Sequence, residues 1–423
     1  MSFSPTGVQL AAIAIFTLAV LHTFATKAFQ HIAHAQPNHA GLWHLLGEVE
    51  AVFGFWAMVL LLFLAAYATP AAAMAYLQDR SFTEPAFIFV IMVIAASRPV
   101  LDVAGALLLI VARRLPLRPP LAYYLTVLTI GPLLGSLITE PAAMTLSALL
   151  LRRGYFNQQA PKAFKYATLG VLFVNVSVGG TLTPYAAPPV LMVAERWGWD
   201  VGFMLYHFGW KAALACIINA VGVSMIYRAY LAQISTVHDA VTRLETPWPV
   251  VIVHLVFLIA VVGTNHHPLV FIGLFLFFLG FAEAYKRYQS RLILREGLMV
   301  AFFLAGLVVL GGMQDWWLQP LLSGMNATVL FYGATALTAI TDNAALTYLG
   351  SLVDGMSDSA KYALVAGAVA GGGMTVIANA PNPAGFAILK GSFDEGAISP
   401  LWLAIAATPP TLVAIAAFRL LPS

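Results

Sequence analysis

Long apolar runs, each closed by Gly, Pro or charge, recur along the chain and predict helical spans near 5–26, 45–68, 84–112, 166–194, 201–228, 248–263, 267–285, 296–313, 361–389 and 399–420. Backbone N–H and C=O groups find no partners in hydrocarbon, so such runs of about 20 residues span as helices. Two further apolar segments, 119–151 and 326–353, carry GSLITEPAAMT and TAITDNAALT at their centres. An acid, a Pro or an Asn there interrupts the helix, which predicts either a broken crossing or a re-entrant hairpin.

Composition narrows the class. Of 423 residues 61% are apolar and 9% are charged, against ~25% charged in a soluble domain. An all-α polytopic membrane protein is expected, and soluble-enzyme and nucleic-acid roles are excluded, because a net charge of +3 is too small to attract a polyanion. The longest polar stretches, 27–44, 69–84 and 231–247, are linker-sized, and MSFSPTGVQL lacks the basic start of a cleavable signal. The single Cys216 excludes a disulfide framework, and no GxxxxGK[ST] run supports transport driven by a nucleotide. No cofactor is expected.

Cation placement gives orientation. Arg113, Arg114 and Arg118 precede the first interrupted segment and Arg152, Arg153, Lys162 and Lys165 follow it, so both its flanks are cytoplasmic and a hairpin is favoured. Continuing the alternation puts Lys27, Arg228, Arg243, Lys286, Arg287, Arg291, Arg295 and Lys390 on the same side. Only Arg80, Arg196, Lys361 and Arg419 fall opposite, which places the amino terminus outside. The second interrupted segment is flanked by Asp315, Asp354 and Asp358 and enters from the outside.

The halves repeat. ITEPAAMTLSALL (138–150) matches ITDNAALTYLGSL (340–352) at a spacing of 202, and FKYATLG with GGTLTPYAAPP (164–189) is echoed by AKYALVA with GGGMTVIANAP (360–381). Since one hairpin faces inward and the other outward, residues 1–231 and 248–423, joined by a cytoplasmic linker at 232–247, read as inverted-topology repeats. Each holds a re-entrant hairpin (119–151, 326–353) and an unwound transmembrane helix (166–194, 361–389). This architecture predicts a midplane site where the breaks of both halves meet, served by alternating access.

The breaks supply the ligands. Thr139, Thr183, Thr341, Thr375, Asn343, Asn379 and Asn382 offer neutral oxygens and Glu140 and Asp342 offer charge, a set suited to a hard cation such as sodium. A carboxylate in the bilayer interior costs about 2.5 to 3.5 kcal/mol, so its presence points to function. Desolvation also favours its neutral form, which lets a proton and a cation compete for the same oxygens. That competition is a minimal antiport mechanism. The plainer alternative is that both acids only cap the second helical arm, with Pro141 in its first turn.

Other charged groups are less telling. Arg98 and Asp102 sit four apart and can neutralise each other, or take a gating role. Lys211 lies within a span with no local acid, so it is expected to find a carboxylate elsewhere or to snorkel. Glu48 and Glu50, with His44 one turn earlier, mark a candidate proton path from the cytoplasm, or a solvated helix start. His22, His31, His34, His39 and His44 cluster around the first loop, where histidine can tune activity to internal pH or simply make a polar loop; a metal at His31 and His34 lacks completing ligands. Trp316 and Trp317 read as an interface belt.

The paired hairpin and break motifs, with GGTLTPYAAPPVLMVA, GGGMTVIANAPNPAGFAIL, LGEVEAVFGFW and REGLMVAFFLAGLVVLGG, resemble the ion transporter superfamily and, within it, sodium/proton antiporters related to the NhaD type. The resemblance implies hairpins and unwound helices at the substrate site, a homodimer, and a bacterial inner (plasma) membrane location. It assigns Thr139, Glu140, Asp342, Asn343, Thr183, Asn379 and Asn382 to the site. The first tip departs from the usual Asp-Asn pair by reading Glu140-Pro141. The expected function is exchange of sodium or lithium for protons, with sodium at Glu140 and Asp342. The alternative is an organic-anion or oxyanion carrier in which Arg98 or Lys211 faces the cavity, and acids at both tips oppose that.

Overall fold

The computed structural model describes residues 5–156, 160–234, 246–393 and 396–422, and among them every regular element is a helix. The principal helices are α1 (Gly7–Ala35), α2 (Val49–Tyr67), α3 (Thr83–Ala95), α4 (Arg98–Arg114), α5 (Pro119–Ile138), α6 (Glu140–Gly154), α7 (Lys162–Gly179), α8 (Pro188–Trp197) and α9 (Trp210–Ile226). They continue with α10 (Trp248–Gly263), α11 (Pro268–Ala284), α12 (Leu294–Gly311), α13 (Ala327–Thr338), α14 (Asn343–Ser351), α15 (Asp358–Gly371), α16 (Asn382–Leu389) and α17 (Pro400–Leu420). Of the linker expected at 232–247, residues 235–245, Arg243 among them, lie outside the described residues, as do the side chains of Lys27 and His34.

Seven helices are long and apolar enough to cross a bilayer, or eight if one bent pair counts as a span. Large apolar side chains such as Leu269, Ile259 and Ile226 are more than two-thirds exposed, which suits contact with lipid tails rather than water. The chain is a multi-pass membrane protein.

The bent pair is α3 and α4, which meet at 67°. The expected continuous span 84–112 is therefore broken at Ala96 and Ser97. Ser97 is extended (φ −65°, ψ 146°) and Pro99 occupies the first turn of α4, where its missing N–H is harmless. Just past this bend Arg98 and Asp102 form a half-exposed ion pair at 3.7 Å, and Thr246 donates a 3.2 Å hydrogen bond to Asp102. A pair this exposed contributes at most about 1 kcal/mol.

Two groups of helices make up the molecule. In the first, α2 crosses α12 with backbone nearly against backbone, because Gly54 faces Phe302 and Gly306 faces Phe53 and Gly54. Any Cβ at Gly306 would collide with that backbone, the small-residue contact favoured between helices in lipid. Edge-to-face phenylalanines join α2 to α12 (Phe53 and Phe303, 5.1 Å) and α3 to α11 (Phe87 and Phe271, 5.8 Å). In the second group α5 packs on α6 and α7, and α13 on α15. The later arms cross over: α6 packs on α16 and α14 packs on α8. That exchange brings both interrupted segments and both broken helices together.

Candidate functional site

The first interruption is one residue long. Thr139 alone separates α5 from α6, at φ 72° and ψ 149°, and is the one non-glycine residue with positive φ among the described residues. That region is otherwise occupied almost entirely by glycine and costs a side chain about 1–3 kcal/mol. Ser136 holds the tip in place: its hydroxyl donates to Gly179 O (2.8 Å) and accepts from Leu182 N (2.9 Å), while its carbonyl accepts from the Thr183 hydroxyl (2.6 Å). The tip is thereby tied to the stretch between α7 and α8.

Glu140 is fully buried. Its Oε2 accepts a 2.9 Å hydrogen bond from Nδ2 of Asn379, which lies in the break between α15 and α16. Gly180 makes room for the carboxyl: a Cβ there would stand 2.5 Å from Cγ and 2.8 Å from Cδ of Glu140. Oε1 of Glu140 and Oγ1 of Thr139 make no hydrogen bond within the protein.

The second interruption lies between Thr338 and Asn343. Asp342 is half-buried and caps α14, its Oδ1 accepting from Ala345 N at 3.0 Å. Asn343 is fully buried, and neither atom of its amide has a protein partner. Its backbone N donates to Ala378 O (3.2 Å), and a Cβ on Gly372 would stand 2.7 Å from its Nδ2. Asn382 donates to Gly372 O and Thr375 O, both at 2.8 Å, and Thr375 donates to Ala339 O at 2.8 Å. Ser177 joins α7 to α15 near their ends by donating to Val369 O (2.7 Å).

Among the described residues, the tips and the break between α15 and α16 thus hold five buried oxygens without a protein partner: Thr139 Oγ1, Glu140 Oε1, Asn343 Oδ1, Asn379 Oδ1 and Asn382 Oδ1. Each costs about 1–3 kcal/mol in that state. Hydroxyl, amide and carboxylate oxygens are the ligands of hard cations. Four sequence candidates take no part in this set: the Thr341 hydroxyl bonds back to Leu337 O (2.7 Å), that of Thr183 is committed to Ser136, that of Thr375 to Ala339 O, and Asp342 caps α14. Replacing Thr139 by Gly should raise thermal stability by up to about 2 kcal/mol, strain relief less the entropy of the freer unfolded chain. The same change removes one oxygen, so a raised melting midpoint with weakened ion dependence is expected, whereas Thr139→Ala should weaken ion dependence without the gain in stability.

The remaining candidates lie elsewhere. Lys211 is buried at the start of α9, just after a π-turn at Leu205–Gly209, and donates to the Tyr362 hydroxyl (2.9 Å) rather than to the expected carboxylate. Tyr362 in turn donates a hydrogen bond to Phe418 O (3.0 Å). Hydrogen bonds to a charged group are worth about 1.5–3 kcal/mol, so Tyr362→Phe should lower stability by that amount in a detergent melt. Glu48 pairs with Arg295, and Glu50 lies in the first turn of α2. His44 is exposed on the short helix Ala40–Leu46. His22 accepts from Trp56 Nε1 at Nδ1 (3.1 Å), so its Nε2–H donates to Leu46 O (2.9 Å), a role set by packing.

Several contributors escaped the sequence reading. Ser136, Ser177, Gly180 and Gly372 are small residues whose importance shows only against their neighbours. Asn175 and Asn219 form a buried network, with Asn175 donating to Leu128 O and Asn219 donating to Asn175 Oδ1 (2.7 and 2.8 Å), which fixes α7 against α5 and α9. A cavity of about 460 Å³ opens between Glu84, Glu195 and His266 and reaches Pro184 and Tyr185 in the first break.

No curated protein matches the chain. The model of a family described as "Putative Na+/H+ antiporter" matches residues 7–421, nearly the whole chain, and the protein therefore belongs to that antiporter family.

Proposed function

We propose that the protein exchanges sodium or lithium for protons by alternating access, the cation and the proton competing at Glu140. The observation that carries this reading is the fully buried Glu140 carboxyl, one oxygen on Asn379 and the other bare, with four more unpartnered buried oxygens at the two tips and the break between α15 and α16. A proton neutralises the carboxyl in the absence of a cation; a dehydrated sodium ion takes the same oxygens in the other half of the cycle. Related contacts at both breaks support two inverted repeats, 1–231 and 248–423, with re-entrant segments whose tips meet at midplane. The cavity beside Glu84 and Glu195 suits external access, and Glu48 and Glu50 at the start of α2 suit the mouth of a cytoplasmic path.

An anion carrier needs a cationic side chain at the tips. Arg98 is paired with Asp102 and Lys211 is bound to Tyr362, so neither supports that reading. The test is reconstitution of the full chain into vesicles carrying a pH gradient. Sodium or lithium added outside should collapse the gradient with saturation. Accumulation of a labelled dicarboxylate without any sodium-driven proton movement rejects the proposal.

A further inference from the structure

The two tips obey one rule of equivalence, and it differs from that of the sequence repeat. Thr183 donates to Ser136 O, and Thr375 donates to Ala339 O. Glu140 lies against Gly180, and Asn343 lies against Gly372. α6 opens with the bond from Ala143 N to Thr139 O, and α14 with that from Leu346 N to Asp342 O. Each pair of broken-helix residues differs by 192 (183 to 375, 180 to 372). Each pair of tip residues differs by 203 (136 to 339, 140 to 343, 139 to 342), whereas ITEP and ITDN align at 202.

We infer that Asn343, not Asp342, is the counterpart of Glu140, so that the transport site holds a single exchangeable carboxylate and moves one sodium ion for one proton with no net charge. The burial agrees: Glu140 and Asn343 are each fully buried first residues of their helices, while Asp342 takes the N-cap position of Thr139 and is half-buried. Asp342 also spends Oδ1 on Ala345 N. The end of α7 touches both halves: Gly372, which packs on Asn343, lies against Ser177 in its last turn, and Gly180, just past its end, lies against Glu140. One carboxylate is neutral with either a proton or a sodium ion bound, so both loaded forms cross uncharged. A second carboxylate at position 343 would double the ligand charge and suit a divalent ion or a second proton.

The inference rests on the exchange reading, and the experiment separates the two. Full-length protein is reconstituted with a pH dye, sodium is the probe, and the membrane potential is clamped with potassium and valinomycin. The sodium gradient that just halts proton flow is read at 0 and −100 mV. One net charge per cycle shifts that null gradient about 50-fold per 100 mV. The wild type should show no shift, Asp342→Asn should keep at least half the flux and show no shift, and Asn343→Asp should become voltage-dependent. A voltage-dependent wild type, or a tenfold loss of flux in Asp342→Asn, overturns the single-carboxylate assignment while leaving exchange intact. Absence of any sodium-driven proton flow removes the exchange reading and this inference with it. Should Asn343→Asp fail to fold, the other two proteins still decide.

Discussion

Glu140→Gln should lose sodium-driven proton exchange by at least 100-fold while the protein stays folded. Glutamine keeps the shape of the side chain, and its oxygen can still accept from Asn379 Nδ2. What disappears is the titratable charge. The oxygen with no protein partner becomes an N–H₂, a donor that repels a cation. A 100-fold loss corresponds to about 2.7 kcal/mol at the transition state, modest against the electrostatic value of a carboxylate beside a dehydrated ion. Stability should move the other way. Holding an acid in the membrane interior costs about 2.5 to 3.5 kcal/mol, so the amide should melt at the same temperature or higher. A Glu140→Gln protein that exchanges above a tenth of the wild-type rate would remove Glu140 from the mechanism.

Much of this site could be read along the chain, for a physical reason. In a membrane protein the apolar background is uniform, so an acid, a Pro or an Asn inside a span stands out, and Glu140, Asn343, Asn379 and Asn382 announced themselves. Spans bounded by Gly, Pro and charge were equally plain, as the ends of α2, α12 and α17 illustrate. The bend at Ser97 was missed although Arg98 and Pro99 interrupt the apolar run, because Arg98 and Asp102, four apart, read as a self-neutralising pair on one continuous helix. Lys211 was unpredictable in another way: its partner Tyr362 is 151 residues away, and only the packing of α9 on the far half brings them together. The contacts keep a spacing of 203 on both sides of the tip, so the one-residue difference lies in which letters happen to match and not in an inserted residue. Identity of letters, ITEP with ITDN, slid past the positions that the hydrogen bonds equate. Asp342 therefore looked like a twin of Glu140 on paper, whereas it shares its place with Thr139.

Gly180→Ala should cost about 1–3 kcal/mol of stability, as inserting a methyl into a filled core does, and reduce exchange by 10- to 100-fold. The backbone does not demand glycine there, since φ −72° and ψ −5° are open to any residue. The demand comes from Glu140, whose Cγ and Cδ stand 2.5 and 2.8 Å from where the methyl would be. To accommodate it the carboxyl must shift from its hydrogen bond with Asn379. Gly222→Ala is the control, because nothing lies within 4 Å of its Cβ position; it should exchange normally. If the cost is a collision with Glu140, it should shrink when the carboxyl is removed. Gly180→Ala combined with Glu140→Ala should therefore be more stable than the two separate losses add up to, by about 0.5–3 kcal/mol of coupling, the range for residues in contact. Strict additivity in the melts, or full exchange by Gly180→Ala alone, would show that the glycine does not shape the ion site.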